Sequence, residues 1–467
     1  MRRFIDRELK KWKESKRRKP LVLRGARQVG KTYSLKEFGK NNFDNIAIAD
    51  LERNPAWHRV FNGDLSAKHI CADLEILLKQ KITPGKTLLF IDEIQACPRA
   101  VTALRYFYEE LPDLHVVAAG SLLDFALKDI SFPVGRIQFL RLYPLCFAEY
   151  LEAIGNAEAA GIVLGKPVQV SQTVHDYLCE ELRKYFFIGG MPESVQAYVS
   201  AGSLRESFEV QTEIIEAYRM DFAKYTPQVD RYCLDSAFTT LSRSVGQQIK
   251  YARLGEGYSN PTLKKAVDLL CLANIVRKVP SVNPEGLPLG ASASSKIFKA
   301  LMVDIGLMQN LSGMSVDIEY AKSDLLNIYR GNMAEQFVGQ EMTVSQKGEL
   351  YYWDRQAKSS SAEVDYLAVV NGRIHPVEVK SGASGSLKSL HMFLDTYKNS
   401  GRGIVFSVRP YAELPDKNIT FVPLYFAFSA TGGSEAFDCD PETNAVNHET
   451  LFIPKNRFNK FFLKSTV

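Results

Sequence analysis

A lysine and a threonine behind a glycine-rich run are the residues whose spacing points most directly to chemistry. The apolar stretch Leu21-Val22-Leu23-Arg24 leads into Gly25-Ala26-Arg27-Gln28-Val29-Gly30-Lys31-Thr32, a Gly-x-x-x-x-Gly-Lys-Thr pattern. The glycines let the backbone curl so that several N–H groups point inward at phosphates. Lys31 then reaches the β and γ phosphates, and the Thr32 hydroxyl ligates Mg2+. A helix-like segment, Tyr33 to Gly39, follows directly and sets the phosphates at a helix N-terminus, where unpaired N–H groups favour an anion. The pattern therefore predicts a loop for ATP and Mg2+, formed by residues 25 to 32. A glycine-rich turn that merely carries a lysine is the plain alternative; the strand before and helix after argue against it.

Thr87-Leu88-Leu89-Phe90-Ile91-Asp92-Glu93 is a buried-strand pattern with two acids at its C-terminal end, where ligands of open α/β sheets bind. Asp92 is expected to hold the magnesium through water, and Glu93 to orient the water that attacks the γ-phosphate. Gly120-Ser121 ends a fourth strand. The Ser121 hydroxyl can bond the γ-phosphate or the attacking water, or it can cap the helix Leu122–Leu127; both can hold. Arg136 stands just before a fifth strand, Ile137–Leu142. It reads as an arginine finger reaching a neighbouring subunit's nucleotide in a homo-oligomer, or as a salt-bridged surface arginine.

A second group lies more than 300 residues downstream of the loop. Glu363-Val364-Asp365-Tyr366-Leu367 alternates polar and apolar residues, and Pro376-Val377-Glu378-Val379-Lys380 follows after Asn371-Gly372, a strong hairpin signal. In a strand, Glu378 and Lys380 share one face while Val377 and Val379 point to the core, and the partner strand brings Asp365 to the polar face. Two carboxylates and a strand carbonyl make a hard oxygen site suited to Mg2+. Such a metal polarises a phosphodiester; Lys380 can position the nucleophile, and Glu335, on a helix starting near Gly331-Asn332, can add a carboxylate through water. A merely hydrophilic strand face is the alternative.

The elements that must position these groups alternate. Residues 3–15 form an amphipathic helix with Ile5, Leu9 and Trp12 on one face. Strands at Leu21–Leu23, Asn45–Asp50, Leu88–Glu93, His115–Ala119 and Ile137–Leu142 alternate with helices, including one capped by Ser66 that buries Ile70, Leu74, Leu77 and Leu78. The pattern predicts a parallel α/β sheet covered on both faces. Residues 146–228 are helical, with Tyr177, Leu178, Leu182, Tyr185 and Phe186 as a buried stripe, broken at Gly189-Gly190-Met191-Pro192. Tyr232–Val245 is a helix, and Asn260-Pro261-Thr262 starts another, with Asn260 as cap. Ile275–Pro280 then alternates like a β wing. Helix, turn, helix and wing make a winged-helix module. It can bind DNA through Lys264, Lys265, Arg277 and Lys278, or serve as a docking or structural module. Strands Gly403–Val408 and Ile419–Pro423 complete a last sheet, and the tail after Gly432 is polar.

At 467 residues the chain has room for about three domains. Its 46% hydrophobic and 24% charged residues are ordinary for globular proteins. The net charge is only +5, but residues 2–19 hold ten Lys/Arg against three acids, a segment that can meet phosphate backbones or simply be a solvated helix face. Seven scattered cysteines show neither Cys-x-x-Cys spacing nor a zinc pattern and read as reduced thiols. No apolar run approaches the ~18 residues of a membrane helix, and the start turns charged too soon for a signal peptide, so the expectation is cytoplasmic with no membrane contact. A helicase would need a second motor domain, and a transporter ATPase would need a signature loop; the sequence has neither.

Gly25–Thr32, Asp92-Glu93, Gly120-Ser121 and Gly135-Arg136 before Leu142-Tyr143-Pro144-Leu145 resemble AAA+ ATPases. Together with Gly189-Gly190-Met191-Pro192-Glu193 and Asp304-Ile305-Gly306-Leu307 they resemble a bacterial and archaeal group in particular. Its members join an AAA+ core to a helical and winged-helix region and a C-terminal restriction-endonuclease-like domain. The resemblance covers nearly the whole chain. It implies the strand order and the sensor role of Ser121; no second sensor arginine stands out in the lid. Asp365, twelve intervening residues, then Glu378-x-Lys380 resembles the PD-(D/E)xK nuclease core, with Glu335 as its helical acid and Val364 where many relatives have proline. The expected fold is thus an α/β AAA+ P-loop core (1–160), a helical lid and winged-helix region (161–325), an α/β nuclease-like domain (326–430) and a tail (431–467). The expected function is ATP hydrolysis coupled to a Mg2+-dependent nuclease-like domain acting on DNA. The rival is an ATP-driven regulatory or remodelling switch whose nuclease-like domain only docks.

Overall fold

Residues 1–120, 135–225, 229–313, 331–357, 360–380 and 387–432 are described by a computed structural model. Leu21–Arg24 (β1), Asn45–Asp50 (β2), Thr87–Asp92 (β3), His115–Ala119 (β4) and Gln138–Arg141 (β5) form one parallel sheet in the order β2-β3-β4-β1-β5. Because strand side chains alternate in direction, neighbouring residues feed two different cores. Leu21, Leu23, Leu88 and Phe90 pack with the helices Phe4–Glu14 and Lys31–Asn42. Val22, Leu89 and Ile91 pack with Ala67–Leu78 and Pro98–Glu110 on the other face. Both faces being covered, β3 is wholly apolar between Thr87 and Asp92.

The first of these cores does not stop at the sheet. It runs through the helices Gln172–Ile188, Leu204–Asp221 and Arg231–Arg243, past Asn260–Leu272 and Gly331–Ser345, and ends on Val377, Val379 and Phe406 of a second sheet. A two-stranded antiparallel sheet, Val276–Pro280 (β6) with Phe298–Met302 (β7), stands between the parts. The second sheet is mixed, in the order β12-β13-β11-β10-β9-β8, built from Tyr351–Ala357 (β8), Ser360–Val370 (β9), Arg373–Val379 (β10), Gly403–Ser407 (β11), Ala412–Leu414 (β12) and Ile419–Pro423 (β13). The β9–β10 hairpin turns at Asn371 (φ 50°) and Gly372 (φ 72°), both left-handed, as an Asn-Gly two-residue turn requires.

Several expectations are corrected. The border at 160 falls inside the helix Ala157–Leu164, and the border at 430 falls inside Ala427–Thr431, which packs on Gly331–Ser345 and so belongs with the C-terminal domain. Tyr177 and Leu77 are exposed, at the edges of stripes whose centres (Leu178, Leu182, Tyr185; Ile70, Leu74) are buried. Ser259, not Asn260, caps its helix by accepting from the Thr262 N–H. Ser66 precedes its helix, but its hydroxyl donates to Glu110 instead of closing the first turn. Ser121, the helix after it, the border at 325 and the tail beyond 432 lie outside the described residues. Among the described residues no helix is long and apolar enough to cross a membrane.

Candidate functional site

The glycine-rich loop leaves β1 at Gly25, whose φ is 149° and where a Cβ would stand 2.2 Å from the Leu142 carbonyl oxygen. Only glycine can pass so close to β5's outgoing backbone. Gln28 (φ 65°) and Gly30 (φ 93°) complete the curl, and Gly30 opens the helix Lys31–Asn42. Lys31 is 7% exposed and its Nζ donates to the carbonyls of Gly25 (3.0 Å) and Ala26 (2.7 Å). Burial lowers its pKa to about 8, against the pull of the Glu93 and Asp92 carboxylates. The Thr32 hydroxyl donates to Asp92 Oδ2 at 3.0 Å; burial raises the Asp92 carboxyl, and the Thr32 bond works against that rise. A hydroxyl and a carboxylate in contact at the loop's helix N-terminus are the hard oxygen set that magnesium takes, so these residues fit the ion.

Glu93 sits just past β3 in left-handed backbone (φ 46°), and its Oε2 accepts a short bond from Gln95 Nε2. The Gln95 Oε1 is buried against Gly120, where a Cβ would come within 1.9 Å of it. Gln95 therefore positions Glu93 and packs its amide oxygen against Gly120, a role that motif spacing does not reveal.

The loop is anchored to the helical region. Arg27 Nη1 donates to both carboxylate oxygens of Asp221 (2.7 and 2.6 Å), and the Tyr218 hydroxyl donates to the Arg27 carbonyl at 2.9 Å. Arg3, itself buried, donates to Tyr143 O (2.7 Å), Glu149 Oε1 (3.1 Å) and Val29 O (3.4 Å). A Cβ on Gly30 would meet Pro192 at 3.5 Å, and one on Gly190 would meet Leu145 O at 2.0 Å. Asp304 accepts from Gly190 N (2.6 Å) and from Leu307 N (3.1 Å), so Gly189–Pro192 and Asp304–Leu307 meet each other beside the phosphate loop. Burial raises the Asp304 carboxyl to about 6, opposed by the bonds from Gly190, Leu307 and Gly306.

Arg136 is placed at the other end of the sheet from its own loop. Gln138 pairs with Leu21 in parallel register, whereas the loop begins beyond Arg24. There Arg136 Nε donates to Glu109 Oε1 at 2.7 Å.

In the C-terminal domain the hairpin register sets Asp365 one step past the Tyr366–Val377 pair, opposite Glu378. Asp365 and Glu378 are 9% and 6% exposed. A residue that the motif did not include stands among the acids. Lys299, from β7, is 2% exposed, and its Nζ lies 3.3 Å from Glu335 Oε2, 2.5 Å from Glu363 Oε1 and 3.3 Å from Asp365 Oδ1. Asp365 Oδ2 accepts from Val379 N at 2.8 Å, and Lys380 Nζ bonds Glu378 Oε1 at 2.5 Å. Burial would lower the Lys299 pKa, but Asp365, Glu335 and Glu363 outweigh it and hold it well above the ordinary value. Burial, then Asp365, raises Glu335; the same pair of causes raises Glu378 to about 7. With both Asp365 oxygens engaged and an ammonium between the carboxylates, this arrangement does not fit a metal. Among the described residues no group of His, Cys, Asp and Glu is arranged to hold one. The expectation of a magnesium site on Asp365 and Glu378 is thus corrected for this arrangement. A lone lysine in the apolar run Phe298–Met302, and Glu363 two residues before Asp365, were the signals available in the sequence.

Residues 17–151 match a family model described as AAA domain. Residues 179–317 and 330–426 match two described as domains of unknown function, DUF8612 and DUF4143. No match is found among curated proteins. Solved structures similar to the chain include the Walker-type ATPase PABY2304 of Pyrococcus abyssi (17% identity, 66% of this chain and 94% of that one, TM-score 0.41). The RuvB Holliday junction branch migration motor of Thermotoga maritima is similar at 16% identity (59% and 89% of the two chains, TM-score 0.27). So is the Aeropyrum pernix ORC1 protein in complex with DNA, at 12% identity (66% and 90%, TM-score 0.27). The family model, together with the loop and the five-stranded parallel sheet, carries the assignment: residues 17–151 are an AAA domain, a P-loop ATPase core of the AAA+ type.

Proposed function

We propose that ATP turnover in the core drives a nucleic-acid-binding switch, in which the nuclease-like C-terminal domain, as arranged here, holds its partner instead of cutting it. Lys31 and the loop N–H groups bind the β and γ phosphates. Thr32 and Asp92 hold Mg2+, which neutralises phosphate charge when bound. Glu93, held by Gln95, orients the attacking water, and Ser121 serves as a sensor of the γ-phosphate. Arg136 acts on the nucleotide of a second copy, since its own loop is at the far end of the sheet.

The observation that carries the nucleic-acid reading is a cleft of about 950 Å³ between the sheet edge, the first helix, the β6–β7 pair and the C-terminal domain. Arg24, Arg141, Arg277 and Lys347 line it together with the aromatic rings of Phe139 and Tyr143. The Arg24 guanidinium lies 3.6 Å from the Phe139 ring centre, and Phe139 is 40% exposed on the open edge. Cationic side chains that track a phosphate backbone, alternating with rings on which bases stack, are how single strands are gripped, at about 1–3 kcal/mol per stacked base. A neighbouring cleft of about 770 Å³ shares Arg24, Arg141 and Arg277 and reaches Gly25 and Ala26 of the phosphate loop. Fluorescence anisotropy with labelled single-stranded and duplex DNA tests this. Arg141→Ala and Phe139→Ala should each weaken single-strand binding at least about tenfold, and Arg141→Ala should also flatten its salt dependence. Unchanged binding in both variants would refute the cleft as the site.

The Lys299 cluster favours holding over cutting. With that ammonium in place, the wild-type chain should fail to nick plasmid DNA in Mg2+ or Mn2+. Nicking that disappears in Asp365→Ala, with ATP hydrolysis intact, would restore the nuclease reading.

A further inference from the structure

A phosphate loop asks only for backbone N–H groups from the residues between its glycines, so that task does not fix the side chain at position 27. Here it is an arginine that reaches into the helical region. Nη1 alone contacts both Asp221 oxygens, at 2.7 and 2.6 Å, and among the described residues Nε and Nη2 find no acceptor. A guanidinium carries its N–H donors in a planar fork, so most of its capacity is unused. The Arg27 side chain is also 41% exposed, against 9% for Asp221. Burial works to lower the Arg27 pKa, but Asp221, then Glu52 and Glu93, outweigh it and raise it. At Lys31, where burial is the main cause of the lowered pKa, the Arg27 charge adds to the fall. Arg27 is thus within electrostatic reach of both the lysine that meets the γ-phosphate and the acid that orients the attacking water.

We propose that the Arg27 guanidinium has two alternative acceptors, the Asp221 carboxylate that it holds in this structure and a terminal phosphate oxygen of bound ATP, so that it reports the γ-phosphate to the helix Leu204–Asp221. A guanidinium bonds phosphate and carboxylate with the same fork, and the γ-phosphate offers more charge and more oxygens than one carboxylate. With ADP in the loop that acceptor is missing, and Arg27 stays on Asp221. The Tyr218 hydroxyl holds the Arg27 carbonyl at 2.9 Å, so the loop backbone keeps its place while the side chain changes partner. Asp221 ends its helix, where the dipole disfavours a negative charge, so losing the arginine there is felt by the helix itself. That helix is tied along its length. Gln211 Nε2 donates to the carbonyls of Phe187 (2.6 Å) and Ile188 (2.8 Å), just before the Gly189–Pro192 turn. Asn310 Nδ2 donates to Phe208 O at 3.0 Å, and Arg219 pairs with Asp235 of the helix Arg231–Arg243 at 2.6 Å. The inference deepens the switch reading by naming the contact that changes with the nucleotide. It rests on the ATPase core and is independent of DNA binding in the cleft.

The test is equilibrium nucleotide binding by the full-length chain in Mg2+, with a fluorescent ADP analogue displaced by ADP or by a non-hydrolysable ATP analogue. The quantity read is the preference for the ATP analogue, the ratio of the two Kd values. Arg27→Ala should cut this preference at least about tenfold, as expected for one charge-assisted hydrogen bond. Asp221→Asn keeps the shape but weakens the rival acceptor, and should raise the preference at least about threefold. The double variant should match Arg27→Ala alone. Amide hydrogen exchange near the end of the helix Leu204–Asp221 should rise with the ATP analogue but not with ADP, and this difference should vanish in Arg27→Ala. A merely structural tie would shift both nucleotides alike. The proposal fails if Arg27→Ala leaves the preference unchanged, or if Asp221→Asn does not raise it. The Asp221→Asn result and the wild-type exchange decide the matter if Arg27→Ala does not fold. Because no DNA is present, a failure here is separate from a failure of the cleft.

Discussion

Two buried lysines stand in opposite electrostatic surroundings. Lys31 is 7% exposed and donates to two neutral carbonyls; Lys299 is 2% exposed and faces three carboxylates. Burial costs both of them hydration. At Lys31 nothing adjacent repays the loss in full, so its pKa falls to about 8, whereas at Lys299 it climbs well above the ordinary value. The difference separates a binding site from a lock. A desolvated cation ringed by carbonyls and N–H groups is satisfied only by an incoming anion, which is what triphosphate binding requires. A cation already neutralised by carboxylates has no further use for one, and it holds pieces of the fold together instead.

The largest effects should appear when each lysine is removed. Lys31→Ala should lower ATP turnover by at least about 10²-fold, measured as phosphate release, with nucleotide binding lost. Turnover like that of the parent would overturn the assignment. The folding stabilities should diverge in the opposite sense. Lys299→Met leaves the buried carboxylates of Glu335 and Asp365, with half-exposed Glu363 beside them, around an apolar side chain, and urea unfolding in the absence of divalent metal should show a loss of about 3–5 kcal/mol. Lys31→Met removes an imperfectly compensated buried charge, and its stability without nucleotide should stay within about 1 kcal/mol of the parent. Equal losses would erase the distinction between site and lock.

That contrast also marks what sequence can disclose. The phosphate loop is legible because its chemistry is contiguous: Gly25, Gly30, Lys31 and Thr32 need each other within one turn of backbone. The β9–β10 hairpin is legible because Asn371-Gly372 sets its register locally. Lys299 was not, since its partners lie 36, 64 and 66 residues away; only a charge inside an apolar strand hints at burial. Arg27 finds Asp221 across 194 residues, which no periodicity encodes. Helical spacing located the buried stripe around Leu178 and Leu182 but not its width, so Tyr177 was placed on the wrong side. The border at 160 failed because the helix Ala157–Leu164 continues the packing of Phe147–Ala153, and composition does not change there.

A third kind of cation extends the comparison. Arg136 is half-exposed and pairs with Glu109, a surface bridge worth little by itself, at the end of the sheet away from its own loop. Mixing Arg136→Ala protomers with Glu93→Gln protomers should restore part of the ATPase activity that each lacks alone, because a mixed pair contains one site with both groups intact. No restoration, with oligomers present by light scattering, would make Arg136 a surface residue only.

The smallest effect concerns a buried acid with no cation beside it. Glu341 is 1% exposed, accepts a bond from the Phe147 N–H at 2.9 Å and has Glu149 nearby. Burial raises its carboxyl to about 8, the Phe147 bond pulling against that rise. It thus mirrors Lys31, each drifting toward its neutral form because burial outweighs what stabilises its charge. In the unfolded chain the carboxyl titrates near the ordinary 4.5, so between 4.5 and about 8 the folded protein holds the proton more tightly. Its contribution to stability is complete below 4.5 and declines as pH rises to about 8. Glu341→Gln keeps an acceptor for Phe147 and has no charge to desolvate. The variant should melt close to the parent at pH 5 and progressively higher than it toward pH 8, with no further gap above. A difference in melting temperature that is constant across this range would mean that the fold does not raise the Glu341 carboxyl.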